Sequence, residues 1–226
     1  MRAVALLAVS VAATLAALTS AQAEGPWYVS GSVGGYFREE ATGTETFKSG
    51  GVLAPGATAE TFDPGIIANL ALGHQLPARF RIEAELGYAH YDDQKLNLSN
   101  NAFPALNGDF NPRSGADRSR YMGSINLFYD LPDIGRFVPY IGAGLGGAHG
   151  EASRGTFIGD NGVTFTQRFA TNFTAGMALA EGGISINIDK NLAVVPAYRY
   201  VRFFGFNSSN GPEVAHVAKL GLRYSF

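Results

Sequence analysis

Cysteine is absent from all 226 residues. A chain without it has no disulfide framework and no thiolate chemistry, so its stability rests on backbone pairing and packing. Charged residues are scarce, at 16%, and balance to a net charge of −2. That balance excludes the basic footprint that draws nucleic-acid-binding proteins to phosphate. Long apolar runs are missing too. After the first two dozen residues, no stretch approaches the ~18 uncharged apolar residues of a membrane helix. A chain of this kind enters a bilayer only as a closed barrel, because lipid leaves no other way to satisfy strand backbones.

The amino terminus is the exception. Arg2 supplies a short positive start, and Ala3 to Leu18 (AVALLAVSVAATLAAL) is apolar and uncharged. Ala21-Gln22-Ala23 then offers the small residues at which a signal peptidase cuts. The segment is short for a membrane span and no basic cluster follows it. The expected division is a cleaved signal peptide over 1–23 and one domain over 24–226.

At the other end, Ala218, Leu220, Leu222, Tyr224 and Phe226 alternate with Val217, Lys219, Gly221, Arg223 and Ser225. Strict period two predicts a β-strand whose faces meet different environments. A soluble sheet rarely stops on a bare aromatic, since nothing covers the edge. A strand that closes a membrane barrel can, because lipid covers one face and the first strand pairs its edge. The ending resembles the C-terminal strand of bacterial outer-membrane barrels. That resemblance implies that Leu222, Tyr224 and Phe226 form a signal read by the barrel assembly machinery.

Seven earlier segments carry comparable signals. Trp27 to Phe37 reads as the first strand and Asp63 to His74 as the second. In Arg79 to Tyr91, the charges Arg79, Arg81, Glu83 and Glu85 oppose Phe80, Ile82, Ala84, Leu86 and Tyr88. Arg118 to Asp130 sets Arg120, Ser124 and Asn126 against Tyr121, Ile125, Leu127 and Tyr129. Phe137 to Ala148 sets Gly142, Gly144 and Gly146 against Ile141, Ala143 and Leu145. Thr166 to Ile188 is longer than one crossing. Its apolar parity slips from odd (Phe169, Phe173, Met177, Leu179) to even (Ile184, Ile186, Ile188). A β-bulge at Glu181-Gly182-Gly183 is the expected device. Leu192 to Phe203 opposes Val194, Pro196, Tyr198 and Tyr200 to Val195, Ala197 and Arg199.

With the closing strand this makes eight, joined by connections that alternate long and short. The long polar stretches Glu39 to Thr61, Asp92 to Asp117, Gly150 to Phe165 and Phe204 to Pro212 read as loops. Outer-membrane barrels pair short periplasmic turns with longer extracellular loops. The predicted fold is therefore all-β, an eight-stranded antiparallel up-and-down transmembrane β-barrel. Tyr88, Tyr121, Tyr129, Tyr140, Tyr198, Tyr200, Tyr224 and Phe226 are its expected interfacial girdles.

The pieces PYIGAGLG (Pro139 to Gly146), DKNLAVVPAYRY (Asp189 to Tyr200) and HVAKLGLRYSF (His216 to Phe226) resemble the OmpA-like, opacity-type outer-membrane β-barrel family of proteobacterial surface antigens. The resemblance implies the outer membrane of a Gram-negative cell and a structural, surface-exposed role of antigen or adhesion type. Expected partners are outer-membrane lipid and lipopolysaccharide, the assembly machinery, and a host or surface ligand at the loops. A monomer is expected, with no nucleic acid and no cofactor.

Chemical motifs are weak. Gly142-x-Gly144-x-x-Gly147 matches a dinucleotide fingerprint but lacks the helix that would meet a pyrophosphate. His149, Glu151 and Ser153 fall in one loop start, not on adjacent strands as a hydrolytic triad requires. Asp109, Asn111 and Asp160-Asn161-Gly162 read as turn formers before calcium ligands. No catalytic residue and no metal site is expected. The lumen charges are expected to be Arg81, Glu83, Glu85, Arg120, Arg199, Lys219 and Arg223. Eight strands leave room only for side chains, so these charges should pair into a plug. A narrow small-solute porin and an outer-membrane lipid-modifying enzyme are the alternatives.

Overall fold

The computed structural model describes residues 26–49, 52–104, 107–114, 117–152, 155–160, 162, 164–167, 172–205 and 213–226. The expected signal peptide lies outside them. Thirteen strands are described: β1 (Trp27–Arg38), β2 (Ala41–Ser49), β3 (Val52–Phe62), β4 (Gly65–Gln75), β5 (Phe80–Ser99), β6 (Gly108–Ser114), β7 (Asp117–Asp130), β8 (Phe137–Ala152), β9 (Gly155–Gly159), β10 (Thr164–Gln167), β11 (Asn172–Asn187), β12 (Leu192–Gly205) and β13 (Glu213–Ser225).

Eight of these, β1, β4, β5, β7, β8, β11, β12 and β13, each pair antiparallel with two neighbours, and β1 meets both β4 and β13. The sheet therefore closes with no free edge, which is the condition for strands in lipid. Short connections at one end make closure possible. Between β4 and β5 a single 3-10 turn, Pro77–Arg79, carries Ala78 and Arg79 at positive φ (59° and 67°). Between β11 and β12, the Asp189 carboxylate accepts the amides of Asn191 (2.8 Å) and Leu192 (2.7 Å). At this short-turn end the Phe226 amide donates to the Trp27 carbonyl at 3.0 Å and joins the two ends of the barrel.

The outward face follows the period-two pattern. Val33, Leu86, Ile125, Ile141, Leu145 and Leu220 are all more than half exposed. Spread round the wall, they make an apolar belt that water would not tolerate and lipid does. Trp27, Phe80, Tyr129 and Phe137 ring its short-turn edge, and Tyr121, Tyr198, Tyr200 and Phe37 ring the other. Tyr140 departs from the predicted girdle. It shares the inward parity of Gly142 and is 4% exposed inside the barrel. Arg79, predicted among the inward charges, lies in the turn, where it reaches Asp133 and the Leu131 carbonyl.

The tall end differs most from the sequence reading. The stretches predicted as loops are largely strands. β5 continues to Ser99, and at 20 residues it is about twice the 9–11 that a tilted membrane strand needs. β2 and β3 form a hairpin, and β3 pairs the upper part of β5. β6 pairs β5 on its other side, β9 pairs β6, and β10 pairs β9. A six-stranded sheet thus stands on the barrel wall. Polar composition hid it, because these strands bury only scattered apolar residues, among them Leu96, Leu98, Phe110 and Phe157, and turn polar ones to water. Most of the fourth predicted loop, 206–212, lies outside the described residues.

The segment predicted as one strand over Thr166 to Ile188 divides. β10 joins the upper sheet, whereas β11 joins the barrel from Asn172. The predicted bulge is absent. β11 keeps one register against β8 from Asn172↔Glu151 to Ile186↔Phe137, and one register against β12. Odd residues face inward throughout: Met177, Leu179, Glu181 and Ser185 are all buried. The parity slip records a change in the interior, which is apolar at the level of Met177 and charged at the level of Glu181.

Candidate functional site

The barrel interior is built in three levels, each supplied by inward positions of different strands. Nearest the short turns lies a charged level. Arg199 of β12 sits between two carboxylates. Its Nε donates to Glu181 at 2.6 Å, and its two terminal nitrogens bind both oxygens of Glu85, one of them at 2.8 Å. Lys219 Nζ reaches Glu181 at 2.8 Å and Glu85 at 3.7 Å. The Tyr140 hydroxyl donates to the second Glu181 oxygen at 2.8 Å.

Below it, Arg81 Nε donates to both oxygens of Asp130 (3.0 and 3.1 Å), and its Nη1 donates to Glu83 (3.2 Å). Tyr28 donates to the same Glu83 oxygen at 2.7 Å. The guanidinium of Arg223 lies 5.4 Å from the centroid of the Tyr28 ring. Charges this far from water cost several kcal/mol each unless paired and hydrogen-bonded; Arg81, Arg199, Lys219 and their carboxylates meet that demand, whereas Arg223 is held by its ring contact. A void of about 30 Å³ remains beside Ser30, Ser32, Asn69 and Lys219, room for a water or two.

The middle level is apolar. Met177, Leu179, Val201, Val217, Met122 and Ile67 are buried together across the bore, with Ala89, Ala148, Ala175 and Ala215 between them. Glycines on the inner face of β8 leave space for neighbouring side chains. A Cβ at Gly144 would collide with the Asn126 amide, and one at Gly142 with the Phe128 ring. Crowding, not phosphate binding, explains this glycine row, and β8 runs on as strand to Ala152.

Toward the tall end a second charged level follows. Arg120, fully buried, donates to Glu213 at 2.7 Å and to the Tyr36 hydroxyl at 3.4 Å, with Phe203 under its guanidinium at 4.1 Å. Arg38 meets Glu213 at 3.2 Å and stacks over Phe62 at 3.8 Å. Arg118 joins Asp93 of β5 (2.8 Å) to Glu60 of β3 (3.0 Å) and so ties the upper sheet to the wall. Burial and the nearby Glu60 push the Asp93 carboxyl up to about 6, although Arg118 opposes them.

All seven sequence-predicted lumen charges face inward, but they do not form one network. Arg81, Glu83, Glu85, Arg199, Lys219 and Arg223 occupy the lower level; Arg120 belongs to the upper one, across the apolar layer. Sequence reading missed Glu181, which it had assigned to the bulge. The unbroken odd parity from Met177 through Leu179 was the signal that could have placed it inside. It also misses Arg38, Glu60, Asp93 and Glu213, which fall just outside the predicted strands, and Arg118, which opens a predicted strand on the inward parity of Arg120. His149 and Glu151 point outward on β8, with His149 3.4 Å from Thr174, and Ser153 lies outside the described residues. Asp109 lies on β6, bonded by Lys95 (3.1 Å) and Asn97 (2.7 Å), and these donors hold its carboxyl below the usual range.

A closed eight-stranded wall, apolar outside between two aromatic rings and filled inside by paired charges, defines an integral outer-membrane β-barrel protein. Residues 3–226 match the family described as outer membrane protein beta-barrel domain, and the chain belongs to that family. Among solved structures it is similar to Neisserial surface protein A, with 15% identity and a TM-score of 0.46 over 89% of this chain and 97% of that one. It is similar to OprG from Pseudomonas aeruginosa, with 15% identity and a TM-score of 0.49 over 89% and 96%. The outer membrane protease OmpT from Escherichia coli gives 10% identity and a TM-score of 0.50 over 89% and 97%, a likeness of fold. No curated protein matches the sequence. The family implies a Gram-negative outer membrane, with the short turns on the periplasmic side and the upper sheet outside.

Proposed function

We propose that the protein is a non-enzymatic, monomeric resident of the Gram-negative outer membrane, and that its sealed barrel carries a surface-exposed β-sheet with a structural, antigen or adhesion-type role. The observation that carries this reading is the filled lumen. Two charged levels and the apolar layer between them occupy the bore, and Arg199 with Lys219 draws together Glu85 of β5 and Glu181 of β11. An interior of this kind stiffens a platform and leaves no aqueous path. What the platform contacts is carried by the strands that outrun the bilayer, since binding surfaces commonly sit on segments held by a rigid scaffold. Expected contacts are lipopolysaccharide around the wall, the assembly machinery during insertion, and a host or surface ligand at β2, β3, β6 and β9.

Planar-bilayer recording tests the reading. The purified protein should give no steady conductance. Reproducible unitary currents, altered in Arg199→Ala, would replace it with a small-solute porin.

A further inference from the structure

One cluster on the outer rim has no part in the lumen or in the lipid belt. His90 and Asp92 lie on β5 with their side chains on the outward parity, and Asp117 opens β7 directly across the ladder from Asp92. The ligand atoms of these three residues all lie within 4.8 Å of one another. His90 Nε2 is 3.9 Å from Asp92 Oδ1, too far for a hydrogen bond. Two ligands of one zinc-sized ion, each about 2.1 Å from it, lie about 3 to 4 Å apart.

The imidazole is also aimed. His90 Nδ1 lies 3.3 Å from Ser119 Oγ on the facing strand, and Ser119 is itself bonded to the Tyr88 hydroxyl at 3.0 Å. That chain occupies one ring nitrogen and turns the other toward the carboxylates. Metal-binding histidines are commonly oriented in this way by a polar group at the far nitrogen. The two carboxylates face each other directly across the ladder, with the His90 imidazole beside them. Asp92 is accordingly pushed up by partial burial and by Asp117. A third acid, Asp63, is tied alongside through its amide to the Asp92 carbonyl at 3.0 Å.

We propose that His90, Asp92 and Asp117 form a surface site for a first-row divalent cation of the zinc type, clamping β5 to β7 where the wall leaves the membrane. One imidazole and two carboxylates suit zinc, whereas calcium takes six to eight oxygens and gains little from the imidazole. Rotation of the two exposed carboxylates closes the remaining distance, and water completes the coordination shell.

The test is titration of the detergent-refolded protein with zinc ion alone, followed by calorimetry. Folding of each variant is checked by heat-modifiable migration on gels. One saturable equivalent is expected, weakened at least tenfold in His90→Ala and in Asp117→Ala, and weakened less in Ser119→Ala. His149→Ala, a histidine elsewhere on the same outward rim, should bind as the parent does. Absence of saturable binding would overturn the proposal. So would zinc binding unchanged in folded His90→Ala, or calcium binding as tight as zinc, because either makes the carboxylates a non-selective charge patch.

Discussion

Asp93 shows how one carboxyl can be both fastened and strained. It lies 4% exposed between Arg118, which stabilises its charge, and Glu60, which with burial opposes it. Its carboxyl holds a proton up to about pH 6, against an ordinary value near 4. A group whose pKa rises on folding stabilises the fold fully below the ordinary value, and that stabilisation is lost as pH rises through the folded one. Asp93 should therefore help anchor the upper sheet at pH 5 and cease to help by pH 7.5. Carbon-detected NMR titration of the carboxyl should give a midpoint near 6. Amide exchange in β3 should slow on acidification in the parent and change less in Asp93→Asn. A midpoint at or below 4 would show that Arg118 dominates. Sequence could place Asp93 on a polar stretch, but not opposite an arginine 25 residues later.

At the scale of elements, each barrel strand serves two solvents through its two faces. β5 is the clearest case, with Arg81, Glu83 and Glu85 buried and Phe80, Ile82 and Leu86 directed outward. Leu86 is 70% exposed and lies on the outward face between Phe80 of the lower ring and the Tyr88–Tyr121 pair of the upper one. Leu86→Arg should therefore destabilise the barrel by about 2–4 kcal/mol, the range for a cation on the lipid face near mid-bilayer. Reversible urea unfolding in lipid vesicles measures it, and an unchanged midpoint would place Leu86 outside the hydrocarbon. Alternation made β5 readable up to Tyr91, but its last residues could not be recognised as strand. There one face stays buried through Tyr91, Asp93, Leu96 and Leu98, but a charged inward residue and a parity shift at Gln94-Lys95 break the apolar alternation used to find strands. β11 failed without any such shift: its inward face changes from apolar to charged within one unbroken ladder.

For the whole molecule, closure depends on β13, which joins β12 to β1. The assembly role proposed for Leu222, Tyr224 and Phe226 predicts that deleting Phe226 harms biogenesis more than folded stability. Burying one aromatic contributes about 1.5–3 kcal/mol, and a closed ladder tolerates such a loss. Surface abundance should fall sharply on deletion while refolding in micelles stays near normal. Tyr198→Ala, a change on the outward face of β12, serves as the comparison. Equal, mild effects of the two would reduce the terminal row to packing.

The barrel class was determined by local patterning: period-two alternation in eight segments, short turns alternating with long connections, and an aromatic end to the last strand. Those signals survive without coordinates because lipid imposes them residue by residue. Partnership inside the bore was decided by tertiary structure alone. The stagger of the strands sets which inward residues share a level, and no residue type encodes that stagger. Arg199 therefore meets Glu85 and Glu181, while Arg120, on the same inward parity, lies beyond the apolar layer with Glu213.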